Sequence, residues 1–122
     1  MTGAMVISWG SPVRGREAKG LEVFGGAVER FEGLAKQGRI HSHKEYFALT
    51  GNTGRVGGFM IVEGEVEELL TLQGQEEQIR LQQRAQAIVN DFNVQIFAGG
   101  SDRTVQERMS SYTETLNELG YL

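Results

Sequence analysis

The chain reads as an α+β fold: a four-stranded antiparallel sheet backed by helices. Three observations carry that reading. Four short apolar or alternating runs are each bounded by turn residues, and two longer stretches between them repeat their apolar residues at helical spacing. The order is strand, helix, strand, strand, helix, strand, with one more helix at the end. The third strand-like run, Val56-Gly57-Gly58-Phe59-Met60-Ile61-Val62-Glu63, is apolar at odd and even positions alike. Such a run suits a central strand covered on both faces. One layer of helices covers only one face of a sheet, and a second copy of the chain is the simplest cover for the other.

Taken in order, Met5-Val6-Ile7-Ser8-Trp9 predicts the first strand, ended by Gly10-Ser11-Pro12. From about Arg16 to Gln37, Leu21, Phe24, Ala27, Val28, Phe31, Leu34 and Ala35 form one stripe of a long amphipathic helix, with Gly38 as its stop. Gly20, Gly25, Gly26 and Gly33 lie inside that helix, each at a cost of about 0.5–1 kcal/mol relative to Ala. They imply either close approach of another backbone or tolerated weakness on an exposed face. Ile40 to Thr50 predicts the second strand, and Gly51-Asn52-Thr53-Gly54-Arg55 turns it back into the third as an antiparallel neighbour. Glu65 to about Asn90 is helical but broken at Gln73-Gly74-Gln75, and its Gln, Glu and Arg residues read as a solvated face. The acidic residues at Glu63, Glu65, Glu67 and Glu68 suit a helix start, where the macrodipole favours carboxylates. Phe92 to Ala98 predicts the fourth strand, ended by Gly99-Gly100. In the last helix Thr104 and Glu107 have capping-box spacing, and Val105, Met109, Tyr112, Leu116 and Leu119 form a narrow seam that ends at Gly120.

This order is the split βαβ pattern of a ferredoxin-like fold. Right-handed crossovers place both helices on one face and give the strand order 4-1-3-2, with strands one and three central. The long first helix ending Leu34-Ala35-Lys36-Gln37-Gly38-Arg39-Ile40, the broken second helix and the strand leading to Gly99-Gly100 resemble the dimeric α+β barrel superfamily over residues 5 to about 100. The resemblance implies a homodimer, with two sheets closing face to face around a cavity on the side away from the helices. It implies a pocket and no particular reaction, since members include cofactor-free monooxygenases, isomerases and haem-handling enzymes. No cofactor is expected from these residues.

Composition narrows the function classes. At 122 residues, 39% hydrophobic and 23% charged, residues 1–122 suit a single globular domain. No apolar run approaches the roughly 18 residues of a membrane span, and no basic-then-apolar leader opens the chain. Zero cysteines exclude disulfides, thiolate chemistry and Cys-ligated metal sites, and they suit the cytoplasm. A net charge of −4 opposes the basic footprint that nucleic acid requires. The glycine pairs match no phosphate-loop, dinucleotide or nucleophile-elbow spacing.

The candidate site residues are drawn from the strands. His41, His43 and Glu45 fall on one face of a regular strand. Two imidazoles at that spacing reach one metal ion, but the chain has no further His and no Cys to complete a set, so no metal site is expected. His41 and His43 are then candidate general bases or hydrogen-bond donors to a ligand, or else polar residues of an exposed or interfacial strand. If Val94, Ile96 and Ala98 face the helices, Asn93, Gln95 and Phe97 face the other way. A second face holding Ser8, His41, His43, Phe59, Gln95 and Phe97 has the mixed make-up of a small-molecule pocket, or of an interface packed against a partner sheet. Trp9 floors that pocket or caps the core. Two functions follow: binding of a small apolar or aromatic metabolite in the sheet-face cavity, or a non-catalytic assembly module docking a partner through its last helix.

Overall fold

A computed structural model describes residues 1–122. Its elements are β1 (Thr2–Trp9), α1 (Glu17–Lys36), β2 (Ser42–Phe47), β3 (Gly58–Glu65), α2 (Val66–Gln73), α3 (Glu76–Gln86), β4 (Asn93–Ala98) and α4 (Asp102–Glu118). The sheet runs β2-β3-β1-β4 with every neighbour antiparallel, so β1 and β3 are central, as the two-sided apolar run requires. This is the ferredoxin-like arrangement.

Alternation along the central strands sorts their side chains cleanly. Met5 and Ile7 of β1 and Met60 and Val62 of β3 are buried, and they meet Phe31 and Leu34 of α1 and Leu69 and Leu72 of α2 in one apolar core. The residues between them, Val6, Ser8, Phe59 and Ile61, point to the opposite face. α1 buries Ala27, Phe31 and Leu34, three positions of the predicted stripe. The second crossover breaks at Gly74: α2 ends there, and Gln75, in extended conformation, starts α3 on a new axis.

The glycines of α1 resolve into the weaker of the two readings. Nothing lies within 4 Å of a Cβ placed on Gly25, Gly26 or Gly33, and only an Ile88 methyl at 3.3 Å faces Gly20. No other backbone closes on the helix at these four positions. Gly25→Ala and Gly26→Ala are therefore expected to stabilise the protein by about 0.5–1 kcal/mol each, read as a rise in Tm. Gly10 is different, because a Cβ there would collide with the Gly54 carbonyl and sit 3.0 Å from those of Arg55 and Asn90.

The start of α4 departs from expectation. Its cap is Ser101, whose hydroxyl accepts from the Thr104 N–H at 3.2 Å, one turn earlier than the Thr104–Glu107 box. Thr104 is instead buried, its hydroxyl 2.7 Å from that of Thr2 on β1. Glu107 pairs with Arg103. The spacing rule found the right turn but not the residue that captures it, because a tertiary hydroxyl contact took Thr104.

Candidate functional site

The register places the predicted residues on two different faces. Ser8 pairs with Phe59 and with Asn93, Val6 with Ile61 and with Gln95, and Ala4 with Phe97. Ser8, Phe59, Gln95 and Phe97 thus share the face away from α1, α2 and α3. Tyr46 of β2 joins them and stacks on Phe59, ring centroids 5.0 Å apart. The face is apolar along Val6, Phe59, Ile61 and Phe97 and polar at its margins.

The histidines do not share that face. His43 pairs with Val62 and turns toward the helices, its ring 6.4 Å from that of Phe31 and its Nδ1 2.5 Å from Glu45 Oε1. His41 lies exposed before the strand, with Nε2 3.9 Å from Glu65 Oε1. The cause is a two-against-one step at the head of β2. His41 donates its N–H to the Glu63 carbonyl at 2.8 Å, while Ser42 is the register partner of that same Glu63. An extra residue of this kind reverses the alternation. It lets Ile40 enter the core, and it separates the two imidazoles. No three His, Asp or Glu side chains converge in a way that could hold a metal ion.

Trp9 also faces the helices, and there it lines a cavity of about 490 Å3 between α1, α3 and the end of the sheet. The floor is Ile7, Trp9 and Met60, α1 supplies Phe24 and Ala27, and α3 supplies Leu81 and Ala85. Trp9, Phe24 and Phe47 form an aromatic cluster with centroids 5.3–6.5 Å apart, Trp9 presenting its ring edge-on to the other two. Around the end of β1 the loops are latched by backbone bonds, from Gly57 N–H to the Trp9 carbonyl at 2.7 Å and from Gly10 N–H to that of Asn90 at 2.7 Å. The cavity wall is therefore held by the ends of strands and not by free loops.

The wall also carries Ser11, Glu17, Thr53, Gln78 and Gln82, and of these Gln78 is 0% exposed. Its oxygen accepts from Arg30 Nε at 2.9 Å, and its NH2 donates to Gln82 Oε1 at 3.1 Å. Gln78 corrects the expectation that the Gln-rich helix turns all its amides to solvent. The available signal was spacing, since Gln78, Leu81, Ala85 and Ile88 follow one another at three- and four-residue steps and so share one face. Away from the cavity, the Glu67 carboxyl is held below its ordinary pKa, first by its own backbone N–H in the first turn of α2 and then by the Met1 amino group. The Met1 amino group is raised in turn by Glu67 and Glu65. This pairing ties the start of β1 to α2.

The architecture defines the class: a ferredoxin-like sheet with a cavity under its helices. The chain is similar in structure to a dimeric protein of unknown function with a ferredoxin-like fold from Bacteroides fragilis NCTC 9343. The TM-score is 0.58 at 8% identity, over 79% of this chain and 94% of that one. No protein-family model matches the sequence, and no curated protein matches it. No helix is long and apolar enough to cross a membrane.

Proposed function

We propose that this chain is a homodimeric small-molecule-binding protein whose ligand is a small apolar or aromatic metabolite. The observation that carries the reading is the 490 Å3 cavity under the helices, walled by rings and aliphatic groups with the Gln78 and Gln82 amides at one side. That volume lies within the roughly 300–1,000 Å3 of ligand pockets, and an apolar wall with a few fixed polar groups is their usual make-up. The sequence suggested a cavity on the other sheet face, between two copies; this one lies under the helices, and of the predicted ligand residues Trp9 alone lines it. The homodimer rests on the apolar face that no helix of this chain layers over, and on the dimeric state of the structural neighbour. A cytoplasmic setting suits a chain without cysteine. The exposed seam of α4 favours the assembly reading as well, and the two are compatible.

Thermal-shift screening with neutral one- and two-ring aromatics and medium-chain alcohols tests the ligand site. A ligand at about 100 times its Kd adds about 2.7 kcal/mol of stability, which for a chain of this size raises Tm by on the order of 10 °C. The same ligand should bind at least about tenfold more weakly to Ala85→Phe, whose ring enters the cavity from α3. The double variant His41→Ala/His43→Ala should bind it within about twofold of the parent, because neither imidazole touches the wall. A panel without a single hit, or equal shifts in Ala85→Phe, removes the cavity as the site.

A further inference from the structure

We propose that α4 is an arm that packs its apolar seam on a second copy of this chain. The inference rests on the homodimer part of the reading above and adds the element that completes the contact. α4 is seventeen residues long, and only Thr104 in its first turn is buried. Beyond that turn, Met109 and Tyr112 are each 65% exposed and Leu119 is 63% exposed. The seam Val105, Met109, Tyr112, Leu116 and Leu119 carries no charge. Helices in proteins owe most of their stability to packing of an apolar face, and this one has almost none within its own chain.

The first turn of α4 is attached on the side of the uncovered sheet face. The Thr2 hydroxyl donates to the Gly99 carbonyl at 2.8 Å and lies 3.0 Å from the Ser101 hydroxyl and 2.7 Å from that of Thr104. Thr2 belongs to the same alternate set of β1 as Ala4, Val6 and Ser8, so α4 is pinned on the side of the sheet opposite the helical layer. Tyr46 and Phe97 are exposed on that same side.

Area supports a contact made by face and arm together. Four strands about 4.8 Å apart and about 20–27 Å long present roughly 400 Å2 in projection. A standard interface buries about 800 Å2 per partner. The seam of α4, about 25 Å long and about 10 Å wide, adds roughly 250 Å2 in the same projection. The arm thus enlarges the area offered to a second copy by roughly half or more.

Light scattering after gel filtration, together with a photo-crosslinking amino acid at position 112, tests the arm. The parent should run as a dimer, and Met109→Glu/Tyr112→Glu should dissociate with a Kd at least about tenfold higher while its thermal unfolding stays cooperative. Ile61→Lys on the sheet face should also weaken the dimer. Irradiation should yield a product of twice the chain mass. A seam variant that dimerises like the parent, or a crosslink confined to its own chain, overturns the arm and leaves the homodimer standing. A parent that is monomeric at about 100 μM overturns the homodimer and the arm together, while ligand binding to the cavity is scored separately by thermal shift.

Discussion

Phe31→Ala is expected to lower the unfolding free energy by about 3–5 kcal/mol, the usual loss for a fully buried aromatic ring cut to a methyl group. Phe31 is 0% exposed and stands in the core with Met5, Leu34, Val62 and Leu69. Its ring also bounds the side of His43, so the vacated space opens beside an imidazole–carboxylate pair that is part-buried. Water entering there gains polar partners, which helps keep the site from collapsing onto its apolar neighbours. Against a total stability of about 5–15 kcal/mol, a loss of this size puts the variant near its unfolding threshold. Urea unfolding followed by circular dichroism checks it. The midpoint should fall steeply with little change in the slope, and a loss below about 1 kcal/mol would mean that the core does not close on this ring.

Trp9→Ala should have the next largest effect and the most informative one, because it acts on fold and site at once. The indole contacts Phe24 and Phe47 edge-on, and each such pair contributes about 0.5–1.5 kcal/mol beyond burial. Trp9 is part-buried, so a total loss of about 2–4 kcal/mol is expected. The cavity loses the aromatic part of its floor, leaving Ile7 and Met60, and ligand affinity should fall at least about tenfold. Trp9 is also the one tryptophan of the chain, so in the parent its fluorescence reports the site directly. A saturable change in emission with a ligand that also raises Tm places that ligand at the cavity. A ligand that raises Tm equally in parent and Trp9→Ala binds elsewhere.

The strand pattern was legible because alternation is a local property. Met60 and Val62 face one way and Phe59 and Ile61 the other in any regular strand, and the same holds for Val94 and Ile96 against Asn93, Gln95 and Phe97. The step at His41–Ser42 was not legible. It is a backbone event in which two residues oppose Glu63, and nothing in the side chains of His41 and His43 marks it. The burial of the Gln78 amide was not legible for a related reason. A glutamine is usually solvated, and only the facing Arg30 and Gln82, respectively 48 residues and four residues away, satisfy it inside.

The amino-acid sequence by itself determined the element order, the strand order β2-β3-β1-β4, the break at Gly74 and the apolar character of both sheet faces. Those follow from periods of 2 and 3.6 residues and from the handedness of crossovers, which neighbouring residues encode. The tertiary structure alone decided that Trp9 lines a cavity, that His41 and His43 part company, that the Thr104 hydroxyl meets Thr2 while Ser101 caps the helix, and that the seam of α4 is exposed on its own chain. Each of those depends on which distant elements meet and how closely, a matter of packing between residues far apart in the chain.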